Sequence, residues 1–402
     1  MSRSIFKLVV MILKMAEVYG IFEVISSSFQ GNSFTDSDSW IVSGAEPQIT
    51  NCMDNRLFGG QNAFGYGVSA SKIFSLPPHY KLNLKMQFWK IDSFDNEFAY
   101  IYVDQVLVWQ QQFQYQDGTQ ICGTEADWKE QPVDLDLIIN HSGSTAIVVI
   151  TSTLDDWADN ESWGFKDFVL AIEQCPQGCL VCQEGETAMQ CSFWISFSKS
   201  WEQLNIDELT QDGWDVSSGT AEATQCGAVS LFGGQAKTGN ETTISKSLTN
   251  IPNHTKLKIR FLFVVLDSWD DEFARLKVDN VLVWERQFNY YEGYYYSLCN
   301  EQPEIWNTQL FFRVDIILDH TRDQVELEFT TTLDDILTDE SFGLRDLSIF
   351  YYILCPQNCA WCTEESCLKC DDGYYNSGIE DKWCQSIIIL NKLRMSFIML
   401  RM

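Results

Sequence analysis

Between Lys81 and Ile91 the side chains from Leu82 to Phe88 alternate, Leu82, Leu84, Met86 and Phe88 apolar, with Asn83, Lys85 and Gln87 between them. That period of two places one apolar row on the buried face of a strand. The same row returns later in the chain as Leu257, Ile259, Phe261 and Phe263, so the protein contains a duplication. Three further rows agree: Ala99, Ile101 and Val103 with Ala274, Leu276 and Val278; Leu135, Leu137 and Ile139 with Val314, Ile316 and Leu318; Ala146, Val148 and Ile150 with Val325, Leu327 and Phe329. Inward positions stay apolar while outward ones change freely: Tyr100, Tyr102, Ile147 and Val149 become Arg275, Lys277, Glu326 and Glu328. No segment within the copies shows helical periodicity. Short strands between Asp, Asn and Gly turns predict an all-β fold, two tandem jelly-roll-like β-sandwich domains.

The turns recur as faithfully as the strands. Asp92-Ser93-Phe94-Asp95-Asn96-Glu97 is matched by Asp267-Ser268-Trp269-Asp270-Asp271-Glu272, and Leu57-Phe58-Gly59-Gly60-Gln61 by Leu231-Phe232-Gly233-Gly234-Gln235. A second acidic turn, Asp155, Asp156, Asp159 and Glu161, is matched by Asp334, Asp335, Asp339 and Glu340. Calcium takes about six to eight hard oxygen ligands without a rigid spacing, so these two turns of each copy are the candidate metal ligands. The set comprises Asp92, Asp95, Glu97, Asp155, Asp156, Asp159 and Glu161, then Asp267, Asp270, Glu272, Asp334, Asp335, Asp339 and Glu340. They meet only if both turns lie at one end of the sandwich; the plainer alternative is that acidic residues solvate loops in an acidic chain.

The fourteen cysteines extend the picture beyond the sandwiches. Cys52 with Cys122, and Cys226 with Cys299, occupy equivalent places and are read as one bridge inside each copy. Cys175, Cys179, Cys182 and Cys191 follow the first copy, and Cys355, Cys359, Cys362, Cys367, Cys370 and Cys384 follow the second. Segments this short bury no core and need staples, so pairing is expected within each module, with the partners open. C-x-x-C spacing also suits zinc, but only with reduced thiols. The amino terminus has the basic and apolar parts of a signal peptide, interrupted by Lys14 and Glu17, and sequons occur at Asn140, Asn160, Asn240 and Asn253. The resulting organisation is a leader at 1–28, sandwiches at 29–174 and 198–354, disulfide-rich modules at 175–197 and 355–385, and a tail at 386–402. A net charge of -29 with only 27 Lys and Arg argues against nucleic acid and anionic membrane surfaces, and no stretch reaches membrane-span length.

Asp-Ser-x-Asp-x-Glu, Thr-Leu-Asp, Glu-Ser-x-Gly and Cys-Pro-x-x-Cys-x-x-Cys together resemble the extracellular cysteine-rich surface proteins abundant in ciliates. The second module, with Cys370-Asp371-Asp372-Gly373-Tyr374, is similar to furin-like, growth-factor-receptor cysteine-rich repeats. The resemblance spans about Trp40 to Cys384 and implies a location outside the cell more than an activity.

Among other chemistries, Trp109, Trp157, Trp163, Trp284 and Phe342 lie beside the acidic turns and suit either sugar stacking or packing; most are expected to be packed. His141 and His320 recur at strand ends beside carboxylates, where an exposed structural turn is favoured over acid-base work because no nucleophile recurs with them. The expectation is a secreted or cell-surface protein that binds and does not catalyse, with calcium steadying loops that meet a glycan or another surface protein. A polysaccharide hydrolase using the recurrent carboxylates and a structural coat component are the alternatives.

Overall fold

A computed structural model describes residues 22–386 apart from 124–126, 177–178, 185–188, 193, 293–295, 297, 300–308, 354, 356, 363–365, 372 and 376–383. Residues 387–402 of the tail and 1–21 of the leader assigned from the sequence lie outside the described residues.

The first sandwich is built from β1 (Glu23–Ser28), β2 (Ile41–Ser43), β3 (Ile49–Cys52), β4 (Asn55–Phe64), β5 (Ser69–Ser75), β6 (His79–Asp92), β7 (Asp95–Val103), β8 (Val106–Gln114), β9 (Gln131–Asn140), β10 (Thr145–Ser152) and β11 (Glu161–Gln174). One sheet has the order β3-β4-β11-β6-β9 with β1 also on β11; the other runs β2-β5-β10-β7-β8. The chain switches sheets at most of its turns, and the two central quartets, β4-β11-β6-β9 and β5-β10-β7-β8, have jelly-roll order. Because β1 pairs Glu23–Ser28 with Ile172–Phe168, the sandwich takes in residues that the sequence reading gave to the leader.

The small module has β12 (Val181–Glu184) and β13 (Met189–Ser192), and then the architecture repeats strand for strand. The second sandwich comprises β14 (Ile195–Ser200), β15 (Asp215–Ser217), β16 (Ala223–Cys226), β17 (Val229–Gly233), β18 (Thr243–Thr249), β19 (Lys256–Asp267), β20 (Asp270–Val278), β21 (Val281–Asn289), β22 (Gln309–Asp319), β23 (Gln324–Thr331) and β24 (Glu340–Tyr352). Its sheets are β16-β17-β24-β19-β22 with β14 on β24, and β15-β18-β23-β20-β21. Among the described residues, helix is confined to two single 3-10 turns, Ile206–Glu208 and Tyr290–Glu292.

The alternating rows fill each sandwich: Leu82, Leu84, Phe88, Ile101, Val148 and Ile150 are fully buried in the first, as are Leu257, Ile259, Phe263, Leu276, Leu327 and Phe329 in the second. Trp40 and Trp214 sit in equivalent places, each donating its indole N–H to a buried serine, Ser28 at 3.2 Å and Ser200 at 3.1 Å. The recurrent Gly-Gly pair also has a physical cause. Gly60 and Gly234 have φ of +94° and +95°, and a Cβ there would lie 2.3 and 2.1 Å from a threonine Oγ1. Cys52 is bonded to Cys122 and Cys226 to Cys299, clamping the outer face of the first sheet in each sandwich. In the modules the bonds are Cys175–Cys182 and Cys179–Cys191, then Cys355–Cys362, Cys359–Cys367 and Cys370–Cys384.

The sandwiches pack on each other. Ile73, Tyr102, Ile147 and Val149, on the outer face of the first sandwich's second sheet, are buried against Val229, Leu231, Leu262, Val264, Leu266 and Phe311 on the outer face of the second sandwich's first sheet. Tyr102 and Tyr296 place their ring centroids 5.1 Å apart across this contact. Gln105, at the β7–β8 turn, acts as a strand extension: its amide donates to Gln309 O at 2.7 Å and accepts from Phe311 N–H at 2.5 Å. On the matching face of the second sandwich, Arg275 pairs with Glu285 at 2.5 Å and Lys277 with Glu328 at 2.7 Å, a solvated ladder.

Candidate functional site

The two acidic turns of each copy lie at the same end of their sandwich. Asp92, ending β6, pairs with Glu161, opening β11, and Asp267 pairs likewise with Glu340. A bulge between Asp95 and Phe98 breaks the strict alternation of β7 and leaves Asp95 and Glu97 together beside Glu161. Ligand oxygens of Asp95, Glu97 and Glu161 lie within 4.8 Å of one another, as do those of Asp270, Glu272 and Glu340. Hydrogen bonds sew the turns together. Ser93 Oγ donates to Asn160 O at 3.0 Å and Phe98 N–H to Thr153 Oγ1 at 2.8 Å; in the second copy Ser268 Oγ donates to Asp339 Oδ1 at 2.9 Å and Phe273 N–H to Thr332 Oγ1 at 2.8 Å. Asn96 and Asp271 adopt φ of +110° and +96° at the bulge between the two carboxylates of that strand.

Burial, with the charges of Glu97, Asp155 and Asp95 beside it, pushes the Glu161 carboxyl up to about 7. Burial raises Glu272 to about 7 as well, and moves Glu97 and Glu340 in the same direction. Glu161 is 3% exposed and its Oε2 has no hydrogen-bond partner among the described residues. A buried carboxylate oxygen facing two more carboxylates is costly unless a cation joins them. Oxygen-only donors clustered at this spacing suit calcium, whose remaining ligands would be carbonyls and water.

The other acidic residues singled out in the sequence have different employment. Asp156 accepts from Trp157 N–H and from Asn160 Nδ2, and Asp335 from Ile336 N–H, so these shape the loop. Asp267 accepts from Gln235 and Asp339 from Ser268. Asp334 and Asp335 offer Glu340 their backbone N–H groups at 3.3 and 3.2 Å. Asp155 and Asp159 are exposed, and Asp92 is fully buried one strand pairing away from the triad. Asn160, inside a sequon, is tied into the loop by both ends of its amide, and Ser162 of the same sequon is fully buried.

Beneath the first copy's acidic end lies a feature that no alternation announces. Lys90 is fully buried, and its ammonium donates to Asp92 O at 2.6 Å and Lys129 O at 2.5 Å; burial lowers its pKa to about 8 against the opposing charges of Glu130 and Asp117. The second copy has Val265 in its place.

The aromatics divide. Trp163 and Phe342 are fully buried in the cores, and Trp109 and Trp284 are half-buried against them. Trp157 instead is 73% exposed on the loop between Asp155 and Glu161, and the Tyr66 N–H, from a residue 50% exposed, donates to Asp156 O beside it at 3.0 Å. The second copy presents Ile336 there.

The histidines depart from the expected exposed turns. His141 Nδ1 lies 2.7 Å from His79 Nε2 and its Nε2 lies 2.9 Å from Asp104; His320 joins His254 at 2.7 Å and Asp279 at 3.1 Å. Together these account for all four histidines of the chain. The sequence reading missed His79 and His254 because they stand far from their partners in the chain, although both recur. Burial and the neighbouring His141 lower the His79 pKa to about 4 from an unfolded value of 6.5. A depressed pKa contributes stability above the unfolded value that is lost as pH falls toward the folded one. Acidification from about 6.5 to about 4 should therefore cost about 3 kcal/mol through this residue. Urea unfolding at the two pH values, with His79→Gln as the control, should show a smaller acid loss in the variant; an equal loss rules this source out.

The chain matches no family model and no curated protein. Among solved structures it is similar to the tandem CBM22-1-CBM22-2 domains of Paenibacillus barcinonensis Xyn10C, at 10% identity and a TM-score of 0.26, covering 84% of this chain and 99% of that one. It is similar to a family 35 carbohydrate binding module from Clostridium thermocellum at 11% identity and a TM-score of 0.21, over 39% of this chain and 99% of that one. The tandem CBM51 modules of a family 98 glycoside hydrolase from Streptococcus pneumoniae give 9% identity and a TM-score of 0.20, over 82% and 97%. Scores this low align no individual residues, and no role is transferred from them. No helix among the described residues is long and apolar enough to cross a membrane.

Proposed function

We propose that this chain is a secreted or cell-surface binding protein whose first sandwich recognises glycan at a calcium-organised end. The observation that carries this reading is Trp157, 73% exposed on the loop that leads into Glu161, with exposed Tyr66 alongside. A large ring held out to solvent by a loop that also supplies a metal ligand is suited to stacking on a sugar face, and calcium there would fix the loop in one conformation. The acidic surface favours neutral or cationic sugars over polyanionic ones. Seven disulfides among the described residues favour an oxidising compartment.

Binding rather than catalysis is favoured by the arrangement of the carboxylates. Three of them converge on one point, the arrangement of a cation site, whereas glycoside hydrolysis sets two carboxyls on either side of a sugar. A glycan array with calcium and with chelator tests the reading. Binding is expected only with calcium, and Trp157→Ala should weaken it about tenfold, the worth of roughly one stacked ring. An array without signal under either condition sinks the glycan assignment, and release of reducing sugar would favour the hydrolase.

A further inference from the structure

The two sandwiches carry the same aspartate tip and satisfy it differently. Each β7–β8 type hairpin closes on a two-residue turn of positive φ, Asp104-Gln105 at +47° and +62° and Asp279-Asn280 at +52° and +65°. Asp104 accepts from Ile147 N–H at 2.9 Å and His141 Nε2 at 2.9 Å, and Asp279 from Glu326 N–H at 3.0 Å and His320 Nε2 at 3.1 Å. Both then bind a guanidinium. For Asp104 it is Arg313, from β22 of the other sandwich, with Nε at 2.7 Å and Nη2 donating to Thr145 O at 2.7 Å. For Asp279 it is Arg322, from the sandwich's own β22–β23 turn.

Aligning His141-Ser142-Gly143 with His320-Thr321-Arg322 puts Arg322 where the first copy has Gly143. A Cβ on Gly143 would lie 2.8 Å from the Cζ of Arg313. The place from which Arg322 reaches its aspartate is thus the place through which Arg313 enters. Around the first tip lie apolar Tyr102, Ile147 and Val149; around the second lie Lys277, Glu326 and Glu328, with an open polar pocket of about 190 Å³ lined by Ser247, Thr249, Asp279, Arg322 and Gln324.

We propose that the aspartate tip is a guanidinium socket for a neighbouring sandwich that presents an arginine from the outer face of its first sheet, and that Arg322 is a built-in occupant closing the second socket. The first sandwich therefore docks one neighbour and the second docks none.

The test is a double-mutant cycle in the full chain, read by calorimetric melting. Gly143→Arg alone sets two guanidinium groups against one carboxylate and should lower the Tm. Arg313 also lies 3.7 Å from the buried Asp346 of its own sandwich through Nη1, so Arg313→Ala leaves both Asp104 and Asp346 without their shared cation and should also lower the Tm. The double variant Gly143→Arg/Arg313→Ala recreates the arrangement at Asp279 and should melt above either single variant, whereas Gly143→Met/Arg313→Ala, of similar size without charge, should not recover. Losses that simply add in the double variant, or recovery by Met as good as by Arg, overturn the proposal. Should a single variant fail to fold, folding of the Arg double variant supports the socket and its failure refutes it.

Discussion

Calcium at a hundredfold excess over its Kd is expected to stabilise each sandwich by about 2.7 kcal/mol, a rise of about 5–10 °C in melting temperature for domains of this size. The effect should depend on pH in a definite sense. Glu161 has a folded pKa of about 7, above the unfolded value of 4.5, so without metal its contribution is present at low pH and lost as pH rises through 7. Calcium reverses that loss because it binds the ionised form, and its increment should be larger at pH 8 than at pH 6. Glu161→Gln provides a test with opposite signs. In chelator it should be neutral or mildly stabilising, since it removes one of three crowded charges; in calcium it should lose the first sandwich's increment. Glu340→Gln should do the same for the second. Melting curves indifferent to calcium, or a Glu161→Gln protein that gains as much from calcium as the parent, would dispose of the site.

Placing in the first sandwich the charges that the second carries should separate the two. Val149 is fully buried and Tyr102 is 8% exposed, both beneath the other sandwich. Tyr102→Lys with Val149→Glu would strand charges among Leu262, Val264 and Phe311, at a cost of about 3–5 kcal/mol if the contact stayed closed. Opening is the cheaper response. A larger radius of gyration and two calorimetric transitions in place of one are expected, with β-sheet circular dichroism retained. An unchanged radius together with an unchanged transition would show that the contact contributes little to holding the sandwiches together.

Duplication made the strand rows legible, because Leu82 with Leu257, or Ile101 with Leu276, fixes an inward face twice. The same comparison marked Tyr102 and Val149 as unusual outward residues, but period two names a face without naming what covers it; only the packing of one sandwich on the other brings that face onto β19 and β22. At the acidic end, Asp95 and Glu97 were readable as a pair two residues apart, while the choice of Glu161 over Asp155, Asp156 and Asp159 depended on the register between β6 and β11. Arg313 and Gly143 left no local signal at all. Arginine at 322 opposite glycine at 143 was visible in the alignment, but its meaning requires a contact between residues of different sandwiches.

The placement of Trp157 has an optical consequence. The chain has fourteen tryptophans, and among the described residues those at 40, 89, 163, 194, 201, 214 and 269 are buried while Trp157 is the exposed one. Its emission should lie to the red of those seven, and it should be more open than they are to quenching by acrylamide. A sugar seated on the indole would shield it, so occupancy of the loop should be readable in the unlabelled protein as a loss of collisional quenching that the Trp157→Phe variant does not show.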